Sequence, residues 1–468
     1  MQLKLVNAGL IREATIELAD LSIIMGPNNS GKSTISTIAH AATKAHGFFG
    51  RRLRRRPSQI GRIARQNVNI SNAMKKIDFA GISDALRSSE RPNNESAALL
   101  EANQVLAERV LELFGNYFVS EIELAFGAPL SALPTRLSSG RRLPLKIRLS
   151  STMPSWSVEI RLRRDTPHVQ VDLADQIPFR FEDLPAHILN GLASGNASDT
   201  SFYLSMWADE LAPRLFASLP DRSHYLPAAR AGLLQSHRLV AAAMFQSSTL
   251  VGISEVTMPA LSGVVADFVS EILLNDRRPT KRSAPLKSAA QDIETLVLRG
   301  NVKQLKTGSG YPELEFQDEA GRYPIHRTSS MVSELSPIVL LLRQVVEPGD
   351  LLIIEEPESH LHPATQTQLA KILFKVSATA PLMITTHSDF FLSQVNNEIR
   401  GQAIQATAKR PVSVLAYAIE KTDEGSYLRA LPVDPLDGVP EDSFSEVSMA
   451  LYDTQITQQN QLTDGAFE

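Results

Sequence analysis

The sequence of 468 residues contains no cysteine. This absence excludes disulfide bonds, thiolate zinc sites and cysteine nucleophiles, and it is compatible with a reducing compartment. The sequence also has no run of roughly 20 apolar residues, which is the length that a membrane-spanning helix needs. Its start, Met1 to Leu5, has the pattern of a strand and not of a signal peptide. We therefore expect a cytoplasmic protein that binds no membrane.

The sequence also lacks an excess of positive charge, since its formal net charge is −4 at pH 7. This balance argues against a global attraction to nucleic acid. With 43% hydrophobic and 21% charged residues the composition is that of a globular protein, and the length predicts at least two units. One basic segment stands out, and it is either a solvated helix face or a local DNA-binding patch. Its arginines are Arg51, Arg52, Arg54, Arg55 and Arg56.

A glycine-rich loop follows an apolar strand and precedes a helical pattern. It fits G-x-x-x-x-G-K-S/T, in which backbone N–H groups and the helix N-terminus hold phosphate oxygens. Lys32 is expected to reach the β- and γ-phosphates of ATP, and Ser33 to bind Mg²⁺. An accidental glycine turn is the less economical interpretation. The candidate nucleotide-binding residues are Gly26, Asn28, Asn29, Ser30, Gly31, Lys32, Ser33 and Thr34.

Carboxylates and a histidine end two later apolar strands. We expect Glu355 to hold the water shell of Mg²⁺, and Glu356 to orient and deprotonate the attacking water. His387 ends the next strand, where it could sense the γ-phosphate. The alternatives are an acidic turn that caps a strand and a purely structural histidine. The position of both strand ends beside a phosphate loop favours catalysis.

These motifs, in this order, resemble those of the ABC-type ATPases. Within them they are similar to the AAA-family or OLD-like (overcoming lysogenization defect) ATPases related to SMC and RecF proteins. The resemblance rests on residues 26–34, on the Glu-Glu-Pro-Glu-Ser-His-Leu-His-Pro run at 355–363 and on Thr-Thr-His-Ser at 385–388. It implies an α/β fold, in which an ABC-type P-loop ATPase head is split by a mainly helical insertion with a small β subdomain.

The segment 328–337 resembles the ABC signature, with Ser329 or Ser330 at the signature serine. In this family the signature of one subunit closes over ATP held by the P-loop of another. The resemblance therefore implies a homodimer or higher homo-oligomer that sandwiches nucleotide. This sequence departs from the family at Met331, where many members have glycine. Residues 359–362 would join the strand end to the dimer interface.

The resemblance also divides the chain. We expect the N-terminal part of the head at 1–80, the insertion, with a small sheet near 143–173, at 81–298, and the C-terminal part of the head at 299–468. Two roles stay open. Gln59 or Gln66 would be the glutamine that links the lobes, and Arg230, in a segment similar to one of OLD-like proteins, either touches nucleotide or pins a turn.

The biological function of an ATPase head depends on the protein or process that it controls. The sequence after His387 is short for a further domain, and Asp434, Asp437 and Asp442 are read as turn residues, so we expect no nuclease. By resemblance, the nearest models are stand-alone ATPases of bacterial anti-phage systems of the PARIS or Septu type. They imply a slow, regulatory ATPase switch that controls an effector protein in trans. The alternatives are a DNA-binding repair ATPase of SMC or RecF style and, less favoured, a transporter subunit.

Overall fold

The structure is a computed structural model that describes residues 1–49, 97–136, 140–175, 184–194, 197–235, 262–273, 283–306, 312–404, 410–441 and 449–459. Several residues with predicted roles lie outside the described residues. They are the five arginines from Arg51 to Arg56, both candidate lobe-linking glutamines, Gln59 and Gln66, and Asp442.

A mixed sheet of eleven strands forms the centre of the molecule, and three further strands form a second sheet. The order in the large sheet is β6-β5-β4-β1-β2-β14-β13-β3-β12-β11-β7, and in the small one β10-β9-β8. The strands are β1 (Gln2–Ala8), β2 (Ile11–Glu17), β3 (Leu21–Met25), β4 (Lys146–Thr152), β5 (Ser155–Arg163), β6 (Thr166–Leu173), β7 (Ser223–Leu226), β8 (Asn301–Lys306), β9 (Pro312–Gln317), β10 (Arg322–Pro324), β11 (Leu351–Glu355), β12 (Leu382–Thr386), β13 (Val414–Thr422) and β14 (Gly425–Leu431).

Helices cover both faces of the large sheet. They are α1 (Lys32–Phe49), α2 (Ala97–Phe126), α3 (Ala186–Ser194), α4 (Ala197–Leu215), α5 (Gly263–Leu273), α6 (Ala284–Asp292), α7 (Ser330–Gln344), α8 (Pro363–Ser377) and α9 (Asp389–Ile404). A π-helical turn, Ile293–Leu298, continues α6, and 449–459 form a further helix. Among the described residues, no helix combines the length and the apolar character that crossing a membrane requires.

The central strands β3, β11 and β12 are buried over all five residues. Their side chains alternate between two hydrophobic cores. Leu351 and Ile353 join the core beneath α1, α2 and α4, whereas Leu352 and Ile354 join the core beneath α6 to α9. Continuous apolar strands of this kind belong to a parallel sheet that is covered on both faces. β13, β3, β12, β11 and β7 are indeed parallel neighbours.

This arrangement confirms the predicted α/β fold class of an ABC-type P-loop head with a mainly helical insertion. Two strands of the insertion behave differently from the expectation. The predicted small sheet is continuous with the large one, because β4 pairs antiparallel with β1. The four-residue β7 lies within the predicted insertion, yet it pairs with β11. So short a strand carries too little periodicity to be recognised in the sequence. The domain boundaries stay a prediction.

The strands β13 and β14 form an antiparallel hairpin that turns at Gly425. Asp434 is a turn residue, as predicted, because its carboxylate accepts the backbone N–H groups of Leu436 and Asp437 at 2.7 and 3.0 Å. This turn follows the last strand.

A buried histidine joins three elements at the edge of the parallel strands. His224, in β7, lies 2.9 Å from Glu271 of α5 through Nδ1 and 3.2 Å from Asp350, which precedes β11, through Nε2. Burial opposes its positive charge, but the two carboxylates prevail and raise the pKa of His224 to about 10. The imidazolium therefore stabilises the fold fully below its unfolded-state pKa near 6.5, and this contribution is lost as pH rises towards 10.

We expect His224→Gln to remove this pH dependence. Between pH 6.5 and 9.5 the melting temperature of the wild type should fall relative to that of the variant, by roughly a few degrees. Thermal unfolding followed by circular dichroism measures the difference. His168→Gln, on the exposed strand β6, is the matched control and should behave as wild type. Parallel pH profiles of wild type and His224→Gln would contradict this assignment.

Candidate functional site

The glycine-rich loop joins β3 to α1, at the carboxyl end of the parallel strands. Gly26 has φ +149°, and a Cβ there would lie 2.9 Å from the Cβ of Ile419. Gly31 has φ +100°, and its Cβ would lie 2.6 Å from Ile11 Cδ1. Both positions therefore require glycine. Asn28 and Asn29 are exposed, and Asn29 adopts a left-handed φ of 54°. Glycines and a left-handed residue in one short loop allow the tight curl in which backbone N–H groups can converge on an anion.

Lys32 begins α1 and folds back over the loop. Its Nζ donates to the backbone oxygens of Gly26 at 3.0 Å and Pro27 at 2.9 Å. Burial lowers the pKa of Lys32, and the negative charges of Glu356, Glu355 and Glu358 oppose that shift. The ammonium group therefore lies within electrostatic reach of all three carboxylates.

The hydroxyls beside Lys32 differ in exposure. Ser33 is exposed at the start of α1, and the backbone N–H of Thr34 donates to Gly31 O at 3.0 Å. Ser30 is buried, and its Oγ has no hydrogen-bond partner among the described residues. A buried hydroxyl without a partner is costly, so a ligand that accepts or donates a hydrogen bond there would be stabilised.

Glu355 ends β11 and is almost completely buried. The Tyr225 hydroxyl donates to Glu355 Oε1 at 2.8 Å, and the Ala228 N–H donates to Oε2 at 3.2 Å. Tyr225 Oη is also 3.4 Å from Thr37 Oγ1 of α1. Each carboxylate oxygen has a second lone pair, which leaves capacity for a metal-bound water. Tyr225 thus orients the carboxylate that the sequence assigns to Mg²⁺.

Glu356 and His387 lie together, one residue past β11 and β12. His387 Nε2 is 3.5 Å from Glu356 Oε1, and Ser359 Oγ donates to Glu356 Oε2 at 3.2 Å. Burial and the charge of Lys32 lower the pKa of His387, and Glu356 opposes the shift. The imidazole is therefore neutral near pH 7. Its Nε2 is buried and has no hydrogen-bond partner in the described part of the chain.

Glu358 fixes the position of His387. Its Oε1 accepts Thr386 Oγ1 at 2.8 Å and the backbone N–H of His387 at 2.7 Å. Burial raises the pKa of Glu358. This carboxyl therefore connects the loop after β11 to the end of β12, so that the Glu356 and His387 side chains keep their separation.

The signature segment starts α7. Ser329 is its N-cap and accepts the Val332 N–H at 3.4 Å, and both Ser329 and Ser330 are exposed. Neither serine hydrogen-bonds to the glycine-rich loop within the described residues. Met331, which departs from the family, packs partly buried against the second core. The exposed helix N-terminus is free to meet a ligand held elsewhere.

Arg230 pins a turn. It is fully buried and donates to the backbone oxygens of Glu355 at 2.7 Å, Glu356 at 3.1 Å and Pro227 at 3.3 Å. Of the two interpretations that the sequence left open, the structure supports the structural one. The partners of Arg230 are backbone carbonyls and the carboxylate of Glu334.

The structure thus brings Lys32, Glu355, Glu356 and His387 to one edge of the sheet. Within the described residues, Ser329 and Ser330 take no part in the hydrogen bonds at that edge. Sequence reasoning missed the positioning roles of Glu358 and Glu334. It left two roles open for Arg230 and gave none to Tyr225. The signal for their segment was its similarity to one of OLD-like proteins, and this signal could not identify the partners Glu355 and Glu334, which lie more than 100 residues away.

The residues present fit Mg²⁺ and ATP. The loop has two positions that admit only glycine, a lysine at its end, and a buried hydroxyl, Ser30 Oγ, that has no hydrogen-bond partner in the described part of the chain. Ser33 offers an exposed hydroxyl oxygen and Glu355 a carboxylate, which are the hard ligands that Mg²⁺ takes alongside phosphate oxygens. His387 Nε2, which also has no hydrogen-bond partner among the residues that the structure describes, is a further group that a phosphate could satisfy.

Part of the chain matches a known protein family. Residues 265–393 match the family model described as "AAA domain, putative AbiEii toxin, Type IV TA system". A search of curated proteins finds no match. Similar solved structures include the SMC head domain from Thermotoga maritima, with 11% identity and TM-score 0.37, over 92% of this chain and 98% of that one.

Two further solved structures are similar. One is the Smc head domain with an extended coiled coil, bound to the C-terminal domain of ScpA, from Pyrococcus furiosus, with 12% identity, TM-score 0.37 and coverage of 97% and 98%. The other is the Smc head domain with a coiled coil and joint from Pyrococcus yayanosii, with 11% identity, TM-score 0.36 and coverage of 92% and 96%. Because these TM-scores are low, the ABC-type P-loop fold is defined by the chain's own strand order and loop geometry.

We expect Lys32→Ala to lower the affinity for Mg²⁺-ATP by about tenfold or more, because the charge-assisted hydrogen bonds of an ammonium to phosphate are lost. Titration with a fluorescent ATP analogue measures the affinity. Lys375→Ala, an exposed lysine on α8, is the matched control and should bind as wild type. Equal affinities of the wild type and Lys32→Ala would show that the loop does not hold the triphosphate.

Proposed function

We propose that this protein binds and hydrolyses ATP and acts as an ATP-dependent switch. The observation that carries the proposal is the convergence of Lys32, Glu356 and His387 at the carboxyl ends of β3, β11 and β12. His387 Nε2 lies 3.5 Å from Glu356 Oε1, and the charges of Lys32 and Glu356 both act on His387. A phosphate-binding cation, a carboxylate base and a neutral imidazole in one place suit phosphoryl transfer to water.

Each residue has a definite task in this proposal. Lys32 holds the β- and γ-phosphates, and Ser33 and Glu355 hold the metal. Mg²⁺ held there would supply positive charge that reduces the negative charge of the phosphates. Glu356 orients the attacking water and accepts its proton. Its side chain is about one-third exposed, which leaves room for that water. His387 holds the water or a γ-phosphate oxygen through Nε2.

The signature helix, α7, begins in the signature-like segment 328–337, and its position supports a nucleotide-sandwich dimer. The N-terminus of α7 presents Ser329 and Ser330 to solvent, and it is the positive end of a helix of 15 residues. Since these serines make no hydrogen bond to their own glycine-rich loop among the described residues, they are available to the γ-phosphate of a second copy. ATP would join two heads and hydrolysis would release them.

The biological setting that we favour is a cytoplasmic switch in a bacterial anti-phage system, with a separately encoded effector. The matched family model is described as "putative AbiEii toxin, Type IV TA system", and toxin control is a setting of that kind. The alternative is a DNA-binding repair ATPase of SMC or RecF style. Its motivation is the arginine run from Arg51 to Arg56, which lies outside the described residues.

We expect Glu356→Gln to reduce phosphate release by about 100-fold or more while ATP binding is retained, because the amide cannot accept the proton of the attacking water. In the presence of Mg²⁺-ATP the variant should double its mass in light scattering. Glu424→Gln, on the exposed tip of the β13–β14 hairpin, is the control and should keep wild-type turnover.

Adding Ser330→Glu to Glu356→Gln should keep the protein monomeric with ATP, since the new carboxylate would face the phosphates of the partner. A dimer that forms without ATP, or one that persists in the double variant, would contradict the sandwich. Wild-type turnover by Glu356→Gln would contradict hydrolysis at this site.

Two readouts separate the two settings. For a defence switch, a native partner protein should co-purify with Glu356→Gln and be lost with Ser330→Glu. For a repair ATPase, double-stranded DNA should shift in a gel, and the shift should weaken steeply between 50 and 200 mM salt. Replacing Arg51, Arg52, Arg54, Arg55 and Arg56 by serine should abolish that shift. A salt-dependent shift without a protein partner would overturn the defence setting.

A further inference from the structure

Arg230 is a cation with none of its side-chain surface exposed, and the proposed reaction does not use it. Each group that the Arg230 side chain contacts among the described residues is a carbonyl or a carboxylate of this chain. Nη1 and Nη2 donate to the carbonyls of Glu355 and Glu356, and Nε donates to the carbonyl of Glu334 at 3.1 Å and lies 2.9 Å from its Oε2. The planar fork of a guanidinium can satisfy this set, whereas a lysine ammonium cannot.

The Glu356 backbone needs such support. Its φ is 43°, in the left-handed region that a residue with a Cβ rarely adopts. Three contacts hold it there: the carbonyl accepts Arg230 Nη2, and the N–H donates to Thr385 O at 2.9 Å and Thr385 Oγ1 at 3.3 Å. Strain of this kind persists only where the surroundings determine the conformation. It aims the Glu356 side chain at His387.

The other partner of Arg230 belongs to the signature helix. Glu334 is the fifth residue of α7, counted from Ser330, and is almost completely buried. Its Oε2 faces Arg230, and its Oε1 is 3.1 Å from His360 Nδ1. His360 lies in the loop after β11 at φ 60°, and 62% of its side chain is exposed. One carboxylate therefore joins the signature helix, the exposed loop and the buried arginine.

We infer that Arg230 and Glu334 are positioning residues for hydrolysis, which transmit the placement of α7 and of His360 to the backbone of Glu356. The inference rests on the proposed ATP hydrolysis at this site. A shift of α7 when Ser329 and Ser330 meet a ligand would move Glu334. Arg230 would follow, because an unpaired buried charge is strongly unfavourable. The carbonyls of Glu355 and Glu356 are bonded to the same guanidinium, so the Glu356 side chain would be re-aimed.

A purely structural ion pair would behave differently. Replacing one partner of such a pair lowers stability and does not separate turnover from binding. A link that aims Glu356 affects mainly turnover. The triphosphate is assigned to the loop and Lys32, and the Glu355 carboxylate is held by the Tyr225 hydroxyl and the Ala228 N–H, whereas Arg230 contacts only the Glu355 carbonyl. The ratio of the effects on kcat and on ATP affinity therefore distinguishes the two roles.

The test uses Glu334→Gln in the full chain. It keeps the side-chain volume and the Glu334 carbonyl and removes the charge that faces Arg230. We expect kcat to fall by about tenfold or more, because small displacements of a catalytic group cost that much, while the Kd for Mg²⁺-ATP stays within about twofold. The matched control is Glu294→Gln. It breaks the ion pair between Glu294 and Arg343 at the other end of α7, where Arg343 also donates to Val302 O at 2.9 Å.

His360→Ala is the second variant, because an exposed substitution leaves folding intact even if Glu334→Gln does not fold. It should also lower kcat at unchanged Kd, whereas His168→Ala, on the exposed strand β6, should not. Wild-type kcat in both Glu334→Gln and His360→Ala would overturn the inference, as would an equal loss of kcat in Glu334→Gln and Glu294→Gln. A wild-type protein without ATP hydrolysis would instead overturn the proposed function itself.

Discussion

Parallel pairing of three apolar strands is the constraint on which the rest of the site depends. β12 lies between β3 and β11, and all three are buried on both faces. Because parallel strands end at the same edge of a sheet, the pairing of the strands is sufficient to bring the glycine-rich loop, Glu355 and His387 together there. The hydrophobic cores on the two faces fix the strands, since every residue of β11 except the terminal glutamate belongs to one core or the other.

Electrostatics then sets the chemistry at that edge. Lys32 faces Glu355, Glu356 and Glu358, so its positive charge and their negative charges stabilise one another in a partly desolvated place. Burial and, second, the same lysine lower the pKa of His387, which keeps the imidazole neutral. A triphosphate brings several negative charges to Lys32. It would therefore change the balance that acts on both Glu356 and His387, which is the basis for a site that responds to its nucleotide.

Burial of charge behind the site connects these groups to the signature helix. Burial lowers the pKa of Arg230 and raises that of Glu334, and the attraction between them opposes both shifts. Buried ion pairs of this kind add little stability compared with apolar residues, but breaking one is costly. Such a pair therefore resists separation. It ties α7 to the carbonyls of Glu355 and Glu356 more firmly than apolar contacts would, since those tolerate sliding.

The sequence by itself determined the motifs whose atoms are contiguous in the chain. The loop from Gly26 to Thr34 takes its geometry from its own glycines and the helix that follows. Buried strands can be recognised in the sequence as unbroken apolar runs. These features predicted the residues at the sheet edge, and the family resemblance that they carry implied the fold class. Only the tertiary structure decided that β4 extends the large sheet, that the short β7 joins it, and that Arg230 pins Glu356 to Glu334. Those facts depend on strand pairing and hydrogen bonds between residues more than 100 positions apart. Local periodicity carries no information about such partners, because it reports which face of an element is buried and not what lies against it.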